Sequence, residues 1–425
     1  MEEFDVVIVG GGLSGLFCAH RLAGAGMKIL LIERGEYCGS KNLTGGRLYF
    51  GPIKELLADM WHELPIERKV IRERLSVVAS HGSLTFDFFH ERFRESHSFT
   101  LLRAKFDKWL AERVSKRGVM MLTGYRVDDL LVKDGQVKGV MVQGEAVGAN
   151  VVIAADGALS FLSEKASLRA RRPEAFAVGI KEVIELDEGK IEDRFGVERG
   201  EGVAHLFFGQ PTGGVFGGAF LYTNSSTISL GLVLGIGSLI RNGKSRVSEL
   251  LEVFKERYEV RRFIEGGRTV EYSAHLIPEL GLAPTSRLVG NGIMLVGDAA
   301  GFALNMGFTV RGMEFAIASG ILAAETAKEA KKRGDFSERT LSGYERRLRE
   351  SFVLEDMGRF SKIPFILQDE ALYSLWPYRF IDFLHDLYSF DRMPKERMGR
   401  AFWKLLRGSV LNLWGIRKVL QLKDV

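Results

Sequence analysis

The first residues that could do chemistry form a glycine-rich segment, GGGLSG at residues 10–15. Its spacing, G-x-G-x-x-G, falls between a strand-like run and a helix-like run, where backbone N–H groups can approach a pyrophosphate at the helix N-terminus. The segment ends 18 residues before Glu33, whose carboxylate can accept from a ribose hydroxyl. The pattern predicts a dinucleotide site, with contacts from Gly10, Gly12, Leu13, Ser14, Gly15, Glu33 and Arg34.

The elements around this segment have the order of a βαβ unit. Residues 4–9 form an apolar run typical of a buried strand, residues 13–23 have helical spacing, and residues 28–32 form a second apolar run. A helix at 106–115, a strand at 119–123, a hairpin at 136–148 and a strand at 151–155 are expected to continue the same sheet. We therefore predict an α/β fold with a parallel sheet.

Two later segments resemble motifs of a known fold. Residues 292–301, GIMLVGDAAG, end an apolar strand with Gly-Asp, and Ala155-Asp156-Gly157 follows another strand. Together with the first motif they resemble the glutathione-reductase-type FAD fold of the aromatic hydroxylase class. The resemblance implies FAD, with Asp298 on the ribityl chain, Gly297 at its turn, and contacts from Asp156, Gly157 and Arg103. A plain turn at Asp156 and a solvated helix-start charge at Arg103 remain alternatives.

A closer resemblance comes from four ordered segments. These are GSKNLTGGRLY at 39–49, GIKEV at 179–183, GGAFLYTN at 217–224 and GFALNMG at 301–307. They resemble the electron-transfer-flavoprotein:quinone oxidoreductase family, above all its separate Fix-type C subunit, over residues 1 to about 330. The resemblance implies that FAD takes electrons originating in an electron-transfer flavoprotein and passes them to a membrane quinone. An NADH-linked bifurcating assembly is one setting in which this transfer would take place.

The cysteine count bears on where an iron–sulfur cluster would lie. The chain has two cysteines, Cys18 and Cys38, and they form no CxxC pair. We expect no cluster on this chain and, from the resemblance, a small ferredoxin-like partner that carries it. Cys38 is expected to be a buried small hydrophobe, with a redox role as the alternative.

The resemblance also assigns roles around the flavin ring. Thr44, Gly45, Gly46 and Arg47 would lie near the isoalloxazine, where Arg47 could stabilise negative charge on the reduced flavin. Gly307 and Gly312 would direct backbone N–H groups and a helix dipole toward the pyrimidine. A structural glycine loop and simple helix capping are the alternatives. No catalytic side chain or metal ligand is assigned, because the cofactor does the chemistry.

A sheet-rich region is expected to hold the quinone. Gly-rich, strand-like runs at 176–184 and 205–234 indicate a second domain. Its candidate quinone wall consists of Gly217, Gly218, Phe220 and Tyr222, with ordinary sheet core as the alternative. We expect an FAD-binding domain at 1–80, 103–165 and 286–365, a substrate domain at 81–102 and 166–285, and a helical region at 366–425.

The positive charge of the chain is concentrated at its end. The net charge is +5, and residues 371–425 carry ten Lys and Arg against five Asp and Glu. This region also holds three of the five tryptophans, a mixture suited to an interfacial helix or to packing against a partner. No nucleic-acid motif accompanies the charge, and no apolar run is long enough to span a bilayer. We expect a cytoplasmic protein, peripheral on the inner face of the cell membrane.

Two other functions remain open. A geranylgeranyl-reductase-like enzyme that saturates isoprenoid lipids would share the FAD motifs and a lipid-accepting cavity. A flavin relay without turnover of its own would hold FAD and react only with its partners present.

Overall fold

The structure, a computed structural model, describes residues 2–42, 46–58, 60–95, 98–170, 173–243, 246–279, 286–392, 394–395 and 397–406. Its strands are β1 (Glu2–Val9), β2 (Ile29–Glu33), β3 (Gly46–Tyr49), β4 (Arg68–Val78), β5 (Ser83–Phe89), β6 (Ser98–Leu101), β7 (Met120–Thr123), β8 (Val127–Lys133), β9 (Gln136–Val142), β10 (Glu145–Ala154), β11 (Phe176–Glu185), β12 (Glu201–Gly209), β13 (Gly217–Thr223), β14 (Thr227–Gly235), β15 (Arg268–Pro278), β16 (Val289–Gly290), β17 (Ile293–Leu295), β18 (Leu304–Asn305) and β19 (Val310–Arg311). Its α-helices are α1 (Leu13–Leu22), α2 (Arg103–Lys116), α3 (Phe161–Lys165), α4 (Glu188–Phe195), α5 (Ile236–Asn242), α6 (Val247–Glu256), α7 (Tyr258–Ile264), α8 (Met313–Arg333), α9 (Glu338–Leu341), α10 (Gly343–Arg349), α11 (Phe352–Arg359), α12 (Ile363–Leu367), α13 (Ala371–Ser374), α14 (Trp376–Tyr388) and α15 (Met398–Leu406).

The first sheet has a parallel centre in the order β17-β10-β1-β2-β7. All five residues of β2 are buried, as are the last four of β1, which explains why these strands read as continuous apolar runs. The expected βαβ unit is confirmed. β8, β9 and the start of β10 add an antiparallel meander, in which residues 145–154 form one strand where the sequence indicated two.

Helices α1 and α8 lie together against this sheet. A Cβ on Gly320 of α8 would collide with the backbone carbonyl of Ser14, and a Cβ on Gly15 with the carbonyl of Gly10. The small residues of α8 therefore let its backbone approach the helix that follows the glycine loop. This contact fixes the position of the start of α1.

The second sheet has the order β15-β11-β14-β13-β12-β4-β6-β3, with β5 on β4. One face packs against α4, α6 and α7 and forms a second hydrophobic core that includes Ile180, Leu221 and Leu232. Because strand residues alternate between faces, Lys181, Phe220 and Gly231 belong to the opposite face.

The strand pairing differs from the expected boundary at residue 80. β3 pairs with β6 and β4 pairs with β12, so residues 46–49 and 68–78 belong to the second sheet although they fell inside the segment assigned to the FAD-binding domain. The pairing is parallel between β4 and β12, which lie more than a hundred residues apart in the sequence. Nothing local in the sequence indicates such a partner.

The C-terminal helices pack against the second sheet. Tyr373 of α13 lies against Phe208, with ring centroids 4.7 Å apart, and the hydroxyl of Tyr378 donates to Oε1 of Gln210 at 2.7 Å. Farther along, Tyr388 and Phe390 are 82% and 81% exposed. Among the described residues, no helix combines the length and the apolar character needed to cross a bilayer.

Candidate cofactor and substrate site

Four sequence motifs meet at the carboxyl edge of the first sheet. In the parallel register Val9 pairs with Ile32 and Ala154, and Ala154 pairs with Leu295. The residues that follow these strand ends are the glycine loop, Glu33, Asp156 and Asp298. The structure thus brings together groups that lie almost 300 residues apart, at the edge where open α/β sheets bind ligands.

The glycine loop is held by the end of β2. The carboxylate of Glu33 accepts from the N–H of Gly11 at 2.7 Å and from the N–H of Gly35 at 2.6 Å. Gly10 has φ of 110°, and a Cβ there would collide with the carbonyl of Ala155. Only glycine allows this crossing, so the loop passes directly over the end of β10.

The N-terminus of α1 is suited to an anion. Its N-cap, Gly12, provides no side-chain cap, and the first turn of α1 carries no acidic residue. A Cβ on Gly12 would meet nothing within 4 Å, so space adjoins the backbone there. Orphan N–H groups and the positive helix end remain available to a phosphate.

Asp156 brings a buried acceptor to the same edge. Its Oδ2 accepts from the N–H of Leu162 at 3.3 Å, whereas its buried Oδ1 has no hydrogen-bond partner among the described residues. Burial raises the pKa of Asp156, and hydrogen bonds from Ser160 and Leu162 and the charge of Arg34 oppose this rise. In a solvent-exposed turn, water would satisfy such an oxygen, so the buried Oδ1 does not fit the alternative of a plain turn. Gly157, with φ of 84°, completes the bend.

Asp298 lies near two arginines and a histidine that come from three parts of the chain. Burial raises its pKa, and His275, Arg103 and Arg169 oppose the rise. Arg169 also donates to the backbone carbonyls of Asp298 and Ala299, each at 3.1 Å. Gly297, with φ of 58°, lies against the side chain of Ser14. The two Gly-containing motifs therefore touch, as a shared cofactor site requires.

Arg103 is more than a solvated charge. It forms a bidentate pair with the fully buried Asp107, at 2.8 Å for each hydrogen bond, and Asn42 donates to the same carboxylate at 2.5 Å. Its charge acts on both Asp298 and His275. The guanidinium is thus held near Asp298, the candidate contact to the ribityl chain.

Arg47 lies on the second sheet in a satisfied environment. It pairs with both carboxylate oxygens of Glu73, donates to Oγ of Ser98 at 3.0 Å and stacks over Tyr49 with 4.4 Å to the ring centroid. Its charge is largely balanced by Glu73, which weakens the expected stabilisation of a reduced flavin. A Cβ added to Gly46 would lie 3.0 Å from Sδ of Met313. Thr44 and Gly45 lie outside the described residues.

The start of α8 differs from the expected dipole site. The N–H of Gly307 donates to Oδ1 of Asn305 at 2.8 Å and is therefore used within its own turn. Gly312 is the N-cap of α8, but Glu314 in the first turn is fully buried and pairs with Arg311. A carboxylate already compensates this helix end, so its dipole is a weaker source of positive potential than the start of α1.

The candidate quinone wall lies on the sheet face opposite the second core. Phe220 and Tyr222 stack with ring centroids 5.1 Å apart, and burial raises the pKa of Tyr222 to about 12, against the opposing charge of Arg47. Gly218 shares this face, whereas Gly217 faces the other side, and a Cβ on Gly217 would collide with the carbonyl of Val233. The residues of the wall are therefore divided between the two faces, and Gly217 serves close strand pairing.

Sequence reasoning missed Lys181 as a site residue. It is fully buried on the same face as Phe220, next to Ser273 across the sheet. Burial, against the opposing charge of Glu271 and with a smaller contribution from Arg103, lowers its pKa to about 7. A lysine within the apolar strand FAVGIKEVIE was the signal available, and no local signal indicated His275 or Arg169.

Both cysteines of the chain are buried and form no disulfide. Cys38 is 2% exposed, and burial, together with the charges of Glu33 and Asp107, raises the pKa of its thiol to about 12. The protonated, buried thiol agrees with a small core residue. Within the described part of the chain, no group of His, Cys, Asp and Glu is placed to hold a metal ion.

These residues fit FAD. The uncapped start of α1 and the space beside Gly12 suit the pyrophosphate, and Glu33 suits the ribose. The orphaned Oδ1 of Asp156 and the half-buried carboxylate of Asp298 provide acceptors for hydroxyl groups. When bound, FAD would supply reversible two-electron transfer, and the protein would set its position and surroundings.

The chain is similar to known FAD-dependent oxidoreductases. The family model "FAD dependent oxidoreductase" matches residues 5–166. The probable electron transfer flavoprotein-quinone oxidoreductase YdiS of Escherichia coli K12 is 43% identical over 93% of this chain and 92% of its own length. Protein FixC of the same strain is 42% identical over 96% of this chain and 94% of its own length.

Solved structures share the fold. A geranylgeranyl bacteriochlorophyll reductase-like protein from Thermoplasma acidophilum superposes with a TM-score of 0.73 at 21% identity, covering 100% of both chains. The myxobacterial chondrochloren halogenase superposes with a TM-score of 0.66 at 19% identity, covering 98% of this chain and 99% of its own. The fold is that of FAD-binding enzymes of the glutathione-reductase type. With relatives of 42% and 43% identity over nearly the whole chain, this protein belongs to the family of FixC and the electron transfer flavoprotein-quinone oxidoreductases, and it is an FAD-dependent oxidoreductase.

Proposed function

We propose that this protein carries electrons from an electron transfer flavoprotein, through FAD, to a membrane quinone. The observation that carries the proposal is the identity of 43% over 93% of the chain with a relative named for that reaction. In this proposal, an NADH-linked bifurcating assembly is one source of the reduced electron transfer flavoprotein.

The proposed quinone wall is the aromatic face of β12 and β13. Phe220 and Tyr222 form a stacked pair, and Leu206 and Phe208 of β12 lie on the same face. Phe208 is covered by Tyr373, so the C-terminal helices border this face. An apolar face with a few polar groups suits a flat, long-tailed ring.

Charged groups at this face serve the flavin. Arg103 is a cation near Asp298, and Lys181 lies near Arg103. Positive charge there favours the additional negative charge that a reduced flavin carries. We propose that these two side chains raise the reduction potential of the bound FAD. Gly307, Gly312 and Arg47 remain proposed flavin neighbours, with the weaker roles that their partners imply.

The electron route includes a separate iron–sulfur protein. The two cysteines of the chain, Cys18 and Cys38, are both buried. A small ferredoxin-like partner would therefore carry the cluster. We retain the division into an FAD-binding domain, a substrate domain and a helical C-terminal region as part of this proposal, with residues 46–49 and 68–78 counted with the second sheet.

Membrane contact is proposed for exposed aromatic residues near one end of the second sheet. Ile381 of α14 lies against Gly82 in the turn between β4 and β5. Phe86 and Phe88 of β5 are each 53% exposed, and Phe402 and Trp403 of α15 are 52% and 53% exposed. Aromatic side chains with basic neighbours favour the headgroup region of a cytoplasmic leaflet.

The test is a reconstituted electron-transfer assay. Reduced electron transfer flavoprotein, the FAD-loaded protein and vesicles containing menaquinone are mixed anaerobically, with and without the ferredoxin-like partner. Quinol formation that requires this protein supports the proposal, and a rate that is the same without it contradicts the proposal. Flotation of the protein with anionic vesicles, and its loss in a Phe402→Ser, Trp403→Ser double variant, tests the membrane contact separately.

A further inference from the structure

A cavity unrelated to the flavin site lies on the opposite face of the second sheet. It has a volume of about 480 Å³ and is bounded by β4, β5 and β12 on the sheet side and by α4 and α7 on the helix side. His205 of β12 pairs with Leu221, a residue of the second core, and so faces away from Phe220 and Tyr222. The volume falls in the range of small-molecule sites.

The lining of this cavity is strongly cationic. It contains the guanidinium groups of Arg74, Arg194 and Arg262, whereas Asp87 is the one acidic side chain in the lining among the described residues. Asp87 is shared, since it accepts from Arg74 at 2.9 Å and from Arg72 at 3.0 Å. One carboxylate thus faces several guanidinium groups.

Two of these guanidinium groups have no acidic partner in the described part of the chain. Arg262 is exposed and contacts only aromatic rings, at 4.7 Å from the centroid of Phe263 and 5.7 Å from that of Tyr258. Arg194 donates to the backbone carbonyls of Phe263 and Glu265, at 3.1 Å and 2.8 Å. Neutral carbonyls orient Arg194 and leave its charge uncompensated.

A buried polar atom belongs to the same cavity. His205 is 2% exposed, and its Nε2 lies 2.7 Å from Oγ of Ser76, whereas its buried Nδ1 has no hydrogen-bond partner among the described residues. Burial and, to a smaller extent, the charges of Arg74 and Arg262 lower the pKa of His205 to about 3, so the ring is neutral. Buried polar atoms in native proteins are normally satisfied, and His205 is one of the residues that line the cavity.

We propose that this arginine cavity binds a small organic phosphate. A phosphate dianion matches the excess of two positive charges that three arginines and one aspartate leave, and planar guanidinium groups bind it in bidentate fashion. The cavity is larger than a bare phosphate needs, which indicates a phosphate monoester. Binding there would join α4 and α7 to β4, β5 and β12 of the second sheet, on the face away from Phe220 and Tyr222.

The test is calorimetric titration of the FAD-loaded protein, so that the glycine-loop site is already full. The probes are inorganic phosphate and glycerol 1-phosphate in phosphate-free buffer. We expect saturable binding at one site per chain, weakened about tenfold or more in Arg262→Ala, because one charge-assisted contact is lost. Arg262 is exposed and forms no ion pair among the described residues, so the variant should keep the melting temperature of the parent.

Arg261→Ala is the matched control. Arg261 precedes Arg262 in α7, is exposed and does not line the cavity, so its loss removes the same charge from the same helix. We expect it to change the dissociation constant less than about twofold. Absence of saturable binding with both probes, or equal weakening in the two variants, would overturn the proposal. So would binding of a polyglutamate peptide with no binding of either phosphate, because it would indicate an acidic protein partner.

Discussion

The carboxylate of Glu33 accepts from the N–H of Gly11 at 2.7 Å, and this single contact joins the end of β2 to the glycine loop at the end of β1. Its other oxygen accepts from Gly35 at 2.6 Å. One side chain therefore shapes the loop and presents its remaining lone pairs toward the ribose position. Substitution of Glu33 should therefore change the geometry of the glycine loop and the affinity for FAD together.

Replacing Glu33 with Gln tests this link. The amide nitrogen of Gln cannot accept from one of the two N–H groups, and its neutral oxygen is a weaker acceptor. We expect FAD affinity to fall about 10- to 100-fold, the range for hydrogen bonds to a charged group. Titration of apoprotein followed by flavin fluorescence measures it. Glu36→Gln, an exposed control three residues later, should retain the parent affinity.

The contact between Gly320 and Ser14 predicts a stability effect. Gly320→Ala would place a methyl group on the backbone carbonyl of Ser14 and separate α8 from α1. We expect the free energy of unfolding to fall by about 1–3 kcal/mol, measured by urea denaturation. In the matched variant Gly358→Ala, a Cβ meets nothing within 4 Å, so helix propensity should leave stability equal or slightly higher. Equal losses in both variants would refute the close contact.

Glu279 should make stability depend on pH. It is 4% exposed, accepts from Asn305 at 2.6 Å, and burial raises its pKa from 4.5 to about 7. Between these values the folded state binds more protons than the unfolded state, so stability falls as pH rises through this window. Relative to Glu279→Gln, the parent should lose on the order of 2–3 kcal/mol between pH 4.5 and pH 8.

Thermal denaturation of both proteins across this range measures the difference. Glu256→Gln, at an exposed position of α6, is the control and should follow the parent curve at every pH. A constant difference between the parent and the Glu279 variant would show that Glu279 titrates normally.

Substitutions on the two faces of β13 should have different effects, one on substrate binding and the other on stability. Phe220→Ala removes half of the stacked pair on the proposed quinone wall. We expect the KM for a soluble quinone analogue to rise about tenfold, as when an aromatic contact is lost, with FAD affinity unchanged. Leu221→Ala, one residue along on the opposite face, should lower the melting temperature and leave KM unchanged. The reverse pattern would place the substrate elsewhere.

The buried Lys181 should influence the flavin potential. Lys181→Met keeps length and removes the charge, so the potential of bound FAD should fall, and the part of its pH dependence near pH 7 that comes from titration of Lys181 should disappear. Spectroelectrochemical titration at several pH values measures both. Exposed Lys138→Met is the control. An unchanged potential in the Lys181 variant would show that this cation does not face the flavin.

Much of the first sheet could be predicted from sequence, because its signals are local. The apolar run that ends at Val9, the glycines that follow and the acid at Glu33 lie within one βαβ unit. The resemblance to the glutathione-reductase-type fold implied Asp156 and Asp298 as contacts of the same cofactor, and the strands that precede them end at the same edge of the sheet. Physical constraints within about thirty residues were sufficient for this part.

The remaining features depend on long-range register. Arg47 is paired with Glu73, and His275 and Arg169 meet Asp298 only after β15 and β11 have paired across the second sheet. The parallel pairing of β4 with β12 likewise moved residues 68–78 into that sheet. No single segment carries these partners, so the sequence pattern could not indicate them.

Single-turnover oxidation of the bound flavin tests the central claim most directly. The FAD-loaded protein, reduced with dithionite, is mixed anaerobically in a stopped-flow instrument with a menaquinone or ubiquinone analogue, or with an unsaturated prenyl lipid. We predict rapid return of oxidised-flavin absorbance with quinone and none with the prenyl lipid. Oxidation by the prenyl lipid alone would contradict electron transfer to quinone and favour a lipid reductase. If neither acceptor oxidised the flavin, direct transfer to quinone would be contradicted, and a relay that reacts only through its partners would be favoured.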